Sequence, residues 1–386
     1  MLGCSRGKHS FVVNSIYLHI VKYCSLNPSV GWLILTDNKI KSVPASIGKL
    51  SKLQKLMLAN NELETVPDEL ANCKELELIR ISNNKLTVIP QWLFKLPKLA
   101  WLASSGNPCS APITESADKK CVKYAELNIG DKIGEGASGN VYKLNRVVED
   151  GKENEEEEEM VLKLFKSERT SDGDPRDEMG INLMISHPHI LSCLGYVDDG
   201  PTDVPPAGQS NPALGIVFPL LTGCTSLAGP PSFDTVSRDV YPESAKFSLA
   251  YISNLLLGVA SACRYLHARK LSHGDLYGHN LLVSDDGTPT LVDFGAATHF
   301  VQEVKCDMSS EHRSGNCSEL PYEGLEVNAF GILMTEVVSR HCAAGKEREG
   351  AVAALTNLAA QCTNADTSAR PNFQIVLVNL MNILFG

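Results

Sequence analysis

The chain has 386 residues, enough for two or three domains. Its 43% hydrophobic and 21% charged residues are those of a folded globular protein rather than a disordered one. A formal net charge of −10 lacks the basic face that phosphate backbones require, so nucleic acid is not expected as a general partner.

Residues 1–30 form an N-terminal segment whose structure the sequence leaves open. "SFVVNSIYLHIVKYC" follows Arg6 and Lys8, but Asn14, His19 and Lys22 interrupt it, and it is not read as a signal peptide. No apolar run looks long enough to span a bilayer, so no membrane span is expected. The twelve cysteines have no paired spacing and read as thiols of a reduced, cytoplasmic compartment.

A period begins near residue 31. Asn38, Asn61, Asn84 and Asn107 stand 23 residues apart, and Pro44, Pro67 and Pro90 keep the same interval. Around Asn61 the chain reads Leu53, Leu56, Leu58, Asn61, Leu63; around Asn84 it reads Leu76, Ile79, Ile81, Asn84, Leu86. This pattern resembles the leucine-rich repeat family. One repeat cannot bury its apolar row alone, so neighbours must stack, and the asparagine amides then satisfy backbone groups at the turns. The fourth unit departs at Ser104, which reads as the end of the array. Outward positions Lys55, Met57, Asn60, Leu78, Arg80 and Asn83 would line a concave face offered to a protein partner. The expected boundaries are repeats over 31–112, a small-residue linker over 113–123, and a second domain over 124–386.

Within 124–386, Gly134, Gly136 and Gly139 have G-x-G-x-x-G spacing, and Val141 and Tyr142 continue it as a strand. Residues without Cβ let backbone N–H groups approach phosphate oxygens. An acidic run, Glu155–Glu159, reads as a solvated hairpin loop. Lys163 sits in an apolar strand and needs a partner, which Glu178 on a following helix could provide. Leu249, Ile252, Leu256, Val259, Cys263 and Leu266 form one apolar stripe, predicting a core helix. "NLLVSDDGTPTLVDFG" reads as strand, Asp286-Gly287 turn, strand, which folds Asn280 back towards Asp293.

Together with "HGDLYGHN" and the late "CTNADTSARPNF", these stretches resemble the eukaryotic-type protein kinases from Tyr124 to the C-terminus. The fold class expected is α+β: a short leucine-rich-repeat solenoid followed by a bilobal kinase fold. The resemblance implies ATP and Mg²⁺ as cofactors. Gly134, Glu135, Gly136, Gly139 and Val141 would then cover the nucleotide, with Phe218, Pro219 and Leu221 at the hinge. Lys163 would hold the α/β-phosphates, Glu178 would hold Lys163, and Asn280 and Asp293 would bind metal. Asp275 would take the proton of a protein hydroxyl, with serine or threonine the expected acceptor.

Departures from the family pattern keep two readings open: an active kinase with a repeat arm, or a pseudokinase or signalling scaffold that binds nucleotide without efficient transfer. Tyr277 stands where serine/threonine kinases carry lysine, and His279 where tyrosine kinases place arginine. Losing one such donor typically costs about 10²–10³ in rate. No A-P-E motif is recognisable, which leaves Glu319 or Glu323 as candidates to pair Arg370. Glycine at 274 replaces the arginine with which the family clasps a phosphorylated activation segment. Phosphotransfer is therefore expected to survive phosphatase treatment of the purified chain, and a large loss of rate would refute this.

Overall fold

The computed structural model describes residues 4–5, 8–12, 29–110, 120–136, 138–145, 159–167, 169–202, 211–300, 321–342 and 349–386. The first six strands are β1 (Cys4–Ser5), β2 (Lys8–Val12), β3 (Trp32–Ile34), β4 (Lys55–Met57), β5 (Leu78–Arg80) and β6 (Trp101–Ala103). They form one sheet in sequence order. From β2 onward the pairing is parallel, and the 23-residue period appears directly in the register: Leu33 faces Leu56, Leu56 faces Ile79, and Ile79 faces Leu102. β2 lies beside the first repeat and covers the solenoid edge that would otherwise be open.

The repeated asparagines do what the sequence predicts. The Asn61 amide donates to the carbonyls of Leu35 and Leu58, both at 2.9 Å, while its oxygen accepts from Ile40 N–H at 3.1 Å. Asn84 and Asn107 repeat the arrangement one and two units on. A second ladder runs beside it. Asp37, Asn60, Asn83 and Gly106 all take the left-handed backbone conformation, with φ of 58°, 58°, 53° and 69°. Residues of this kind tolerate that region best. Asn60 donates to Asp37 Oδ1 and Asn83 to Asn60 Oδ1. Pro44, Pro67 and Pro90 each stand at the start of a 3-10 turn, where the absent N–H costs nothing.

The C-terminal domain begins with β7 (Lys120–Cys121), followed by β8 (Ile129–Glu135), β9 (Gly139–Leu144), β10 (Met160–Phe165), helix α1 (Pro175–Met184), β11 (Gly195–Gly200) and β12 (Ala213–Pro219). These strands form a six-stranded sheet ordered β7-β11-β12-β10-β9-β8. β7 pairs with β11, so Lys120 and Cys121, read from sequence as linker, are part of the sheet. Most of the acidic run expected to form a hairpin loop lies outside the described residues.

A helical half follows. It contains β13 (Cys224–Ser226), α2 (Leu249–His267), β14 (Leu271–Ser272), β15 (Leu281–Ser284), β16 (Pro289–Leu291), β17 (Thr298–His299), α3 (Pro321–Val338), α4 (Glu349–Cys362) and α5 (Phe373–Phe385). Ser248 caps α2 by accepting from Tyr251 N–H at 3.1 Å. By length and composition α2 could pass for a membrane span, contrary to the sequence expectation that no such run exists. Its Ile252, Leu256, Val259, Cys263 and Leu266 are instead buried against α3 and α5.

The repeats and the C-terminal domain share their cores. Leu78, Ala100 and Trp101 belong to the cluster that contains Leu256, Phe294 and Phe330. Conversely, Phe300, Tyr322 and Leu325 complete the repeat core around Leu102. Tyr322 packs edge-on against Phe94 at 5.0 Å and stacks on Phe300 at 4.7 Å. Ser104, whose polarity marks a break in the repeat, is buried with its hydroxyl 3.1 Å from that of Tyr322.

Shared cores predict shared unfolding. Trp101→Ala should destabilise the protein by about 3–5 kcal/mol. The repeats and the C-terminal domain should also melt in one calorimetric transition; two resolved transitions would contradict the fused core.

Candidate active site

β10 carries Lys163 because its alternation places Leu162 and Leu164 in the sheet core and turns Lys163 to the other face. There Nζ meets Glu178 Oε1 at 2.5 Å and Asp293 Oδ1 at 3.3 Å. α1 presents Glu178 after a well-formed start, with Asp174 accepting from Arg176 N–H at 2.8 Å and proline in the first turn. Burial alone would pull the Lys163 ammonium down, but the Asp293 and Glu178 carboxylates outweigh it and hold it above the usual lysine range. The same ammonium holds Asp293 below the usual carboxylate range.

These groups sit in a cleft of about 340 Å³. Gly136, Gly139, Val141, Phe218, Pro219 and Leu221 line it. Gly134 and Glu135 do not line it. The Glu135 carboxylate turns to Lys132 and Lys166, which hold it down to about 2. Phe218 is buried against Met179 and Leu183 of α1 and closes one wall.

The hairpin of β15 and β16 turns at Gly287, φ 88°, and pairs Leu281 with Leu291. That register brings Val292 N–H within 3.0 Å of the Asn280 carbonyl and so sets Asn280 beside Asp293. The Asn280 amide donates to the Asp275 carbonyl at 2.9 Å and to Asp275 Oδ2 at 3.1 Å. Glu326 secures the other end of this loop by accepting from His273 N–H at 2.8 Å and Gly274 N–H at 3.1 Å. Its second oxygen is bonded to His267.

The unexpected neighbour of the loop is the repeat array. Arg80 on β5 pairs with Asp275 Oδ1 at 3.1 Å, and its other terminal nitrogen pairs with Asp172, just before α1. Trp101 stacks on Tyr277 at 4.2 Å with the rings 6° from parallel, and its indole N–H donates to the Leu276 carbonyl at 2.9 Å. The Asn60 amide donates to the Thr170 carbonyl at 3.0 Å and the Ser82 hydroxyl to the Asp172 carbonyl at 2.6 Å. Gly106 N–H donates to Asp177 on α1 at 3.0 Å. The concave face read from sequence as a partner surface is therefore occupied by the chain's own second domain.

Three sequence readings change as a result. Tyr277 is buried beneath Trp101, and the His279 Nδ1 is bonded to Asp239 at 2.7 Å, so the tyrosine ring is held by the repeats and the histidine ring is oriented by that carboxylate. Glu319 lies outside the described residues and Glu323 accepts from Phe373 N–H, so no described carboxylate pairs with Arg370. Its guanidinium donates instead to the carbonyls of Pro97, Gly324 and Asn364, and burial pulls it down to about 10. Sequence reasoning missed Arg80 and Trp101 as site neighbours, because nothing in a 23-residue period shows what the outward positions face.

Gly274 now has a physical cause. Its φ is 74°, and a Cβ there would lie 2.6 Å from the Ala296 carbonyl oxygen and 2.7 Å from that of Leu102 on β6. Restoring the family's arginine with Gly274→Arg should therefore destabilise the protein by about 1–3 kcal/mol or more. Unchanged thermal unfolding of that variant would rule this explanation out.

Comparisons with known proteins agree with this geometry. The protein kinase domain family model matches residues 127–316, and the leucine rich repeat model matches 28–86 and 53–108. A probable serine/threonine-protein kinase of Dictyostelium discoideum is 28% identical over 203 residues, 52% of this chain and 36% of that protein. Aurora kinase A-A of Xenopus laevis is 29% identical over 222 residues, 55% of this chain and 44% of that protein. A putative serine/threonine-protein kinase/receptor of Acanthamoeba polyphaga mimivirus is 24% identical over 306 residues, 68% of this chain but 17% of that protein. The chain thus spans less than half the length of each of these relatives. Strands in a 23-residue register, the ion-paired cleft behind them and both matches lead to one conclusion: the chain is a leucine-rich-repeat array joined to a protein kinase domain.

Proposed function

We propose that the chain is an ATP- and Mg²⁺-dependent protein kinase that phosphorylates serine or threonine hydroxyls. The observation that carries this reading is the buried Lys163 ammonium held between Glu178 and Asp293 in an open, largely apolar cleft. A structural ion pair needs neither the second carboxylate nor the cleft beside it.

The residues present fit both groups. Apolar walls from Val141, Val161, Leu282 and Phe218 suit an adenine ring, and Lys163 suits phosphate oxygens. Asn280 and Asp293 offer the oxygen donors a hard divalent cation prefers, with phosphate and water to complete its shell. Bound there, magnesium would neutralise charge on the phosphate oxygens. Lys163 would bind the α/β-phosphates, and Glu178 would keep the ammonium from turning away. The Asp275 carboxylate would orient the acceptor hydroxyl and receive its proton. The acceptor oxygen forms its bond to the γ-phosphorus as the bond to the β–γ bridging oxygen breaks.

Serine/threonine specificity is suggested by the names of the Dictyostelium and mimivirus relatives. A partner protein on the repeats would have to use a face other than the concave one. A second reading, a nucleotide-binding scaffold without efficient transfer, is favoured by one observation: Arg80 engages the Asp275 carboxylate.

Transfer of label from γ-³²P-ATP to the chain itself and to a serine/threonine peptide library separates the two. Wild type should transfer phosphate, and Asp275→Ala should lower the rate about 10²–10⁴-fold. Lys163→Met should abolish transfer. ATP binding by wild type with no Asp275-dependent transfer would establish the scaffold reading instead.

A further inference from the structure

We propose that Arg80, delivered from the repeat array, is a positioning residue of the phosphotransfer site. Its guanidinium supplies beside Asp275 the cation that the catalytic loop lacks at Tyr277. The inference rests on the kinase reading above.

Four observations converge on it. First, both Asp275 oxygens are engaged: Oδ1 by Arg80 at 3.1 Å and Oδ2 by the Asn280 amide at 3.1 Å, which leaves the carboxylate one orientation. A planar guanidinium orients a carboxylate better than a flexible ammonium does. Second, the loop has given up the position from which its own cation would come. Tyr277 lies flat beneath Trp101 and is buried. The indole that excludes a lysine there stands on β6, next to the strand that bears Arg80. The loss at 277 and the gain at 80 are thus one structural exchange. Third, Arg80 also pairs with Asp172, ahead of α1, and so ties the catalytic loop to the segment leading to Glu178. The neighbouring bonds from Asn60, Ser82 and Gly106 hold the same segment, Thr170 to Asp177. Kinase chemistry requires this helix and its glutamate to be in place. Fourth, the contact is built into shared cores. Trp101 and Leu78 lie inside the core of the second domain, while Phe300 and Tyr322 lie inside that of the repeats, as in an obligate interface rather than a releasable one.

The same contact could be taken for a plug that neutralises Asp275 until the repeats lift away. The fused cores argue against lifting, and the two readings predict rate changes of opposite sign.

The test uses the full chain with γ-³²P-ATP, measuring transfer to itself and to the peptide library. Arg80→Ala should lower kcat by roughly 10²-fold, the scale of losing one charged donor. The KM for ATP and the ATP affinity measured by calorimetry should stay close to wild type, the signature of an interaction that matters in the transition state. Arg80→Lys should recover a large part of the rate, and Arg80→Gln, which keeps the packing of the stem, should not. A merely structural arginine would be rescued equally by glutamine, so equal rescue would overturn the proposal. A kcat that is unchanged or raised in folded Arg80→Ala or Arg80→Gln, in a wild type that does transfer phosphate, would overturn this inference alone. Absence of Asp275-dependent transfer in wild type would overturn the kinase reading and this inference with it.

Discussion

The structure depends on the packing of the solenoid's concave face onto the catalytic loop. Trp101 provides the centre: its ring covers Tyr277, its N–H binds the Leu276 carbonyl, and its body sits in the core beneath α2 and α3. An aromatic that is fully desolvated and also hydrogen-bonded is the kind of group that dominates an interface. Arg80 and Asn60 then contact the loop and the approach to α1 on one side, while Ser104 and Tyr322 seal the other.

This contact gives a single cause to several departures that look unrelated along the chain. Gly274 is needed because the Leu102 carbonyl approaches the loop too closely for a Cβ. Tyr277 is a platform for an indole. Ser104 breaks the apolar repeat because its hydroxyl meets that of Tyr322 rather than another leucine. Arg370 donates to the Pro97 carbonyl and thereby anchors the C-terminal helices to the array. Asn328 on α3 does the same through the carbonyls of Lys98 and Leu99. At Gly274 and Tyr277 a residue that the family pattern would place in the catalytic loop is exchanged for one that fits against the repeats.

The cleft itself is conservative. Lys163, Glu178 and Asp293 form a charge cluster whose geometry follows from strand alternation, a capped helix and a hairpin register. None of these three placements needs the repeats to explain its local form. The repeats act one step away, on the segment from Thr170 to Asp177 and on the loop from Gly274 to Tyr277.

The sequence determined the solenoid and most of the cleft, because both rest on short-range patterns. A 23-residue period dictates the register of stacked strands, and the asparagine ladder follows from the need to satisfy turn carbonyls. The Asp286-Gly287 turn brings Asn280 towards Asp293 without help from the rest of the fold. Only the tertiary structure decided what the outward row of β4 to β6 would face. Arg80 and Asp275 are 195 residues apart, and Trp101 and Leu276 are 175 apart. Alternation says that such residues point out of the sheet, but the identity of the surface they meet depends on how two cores fit together. No local period encodes that fit, so the departures at 104, 274 and 277 read as breaks in the sequence patterns and as contacts in the structure.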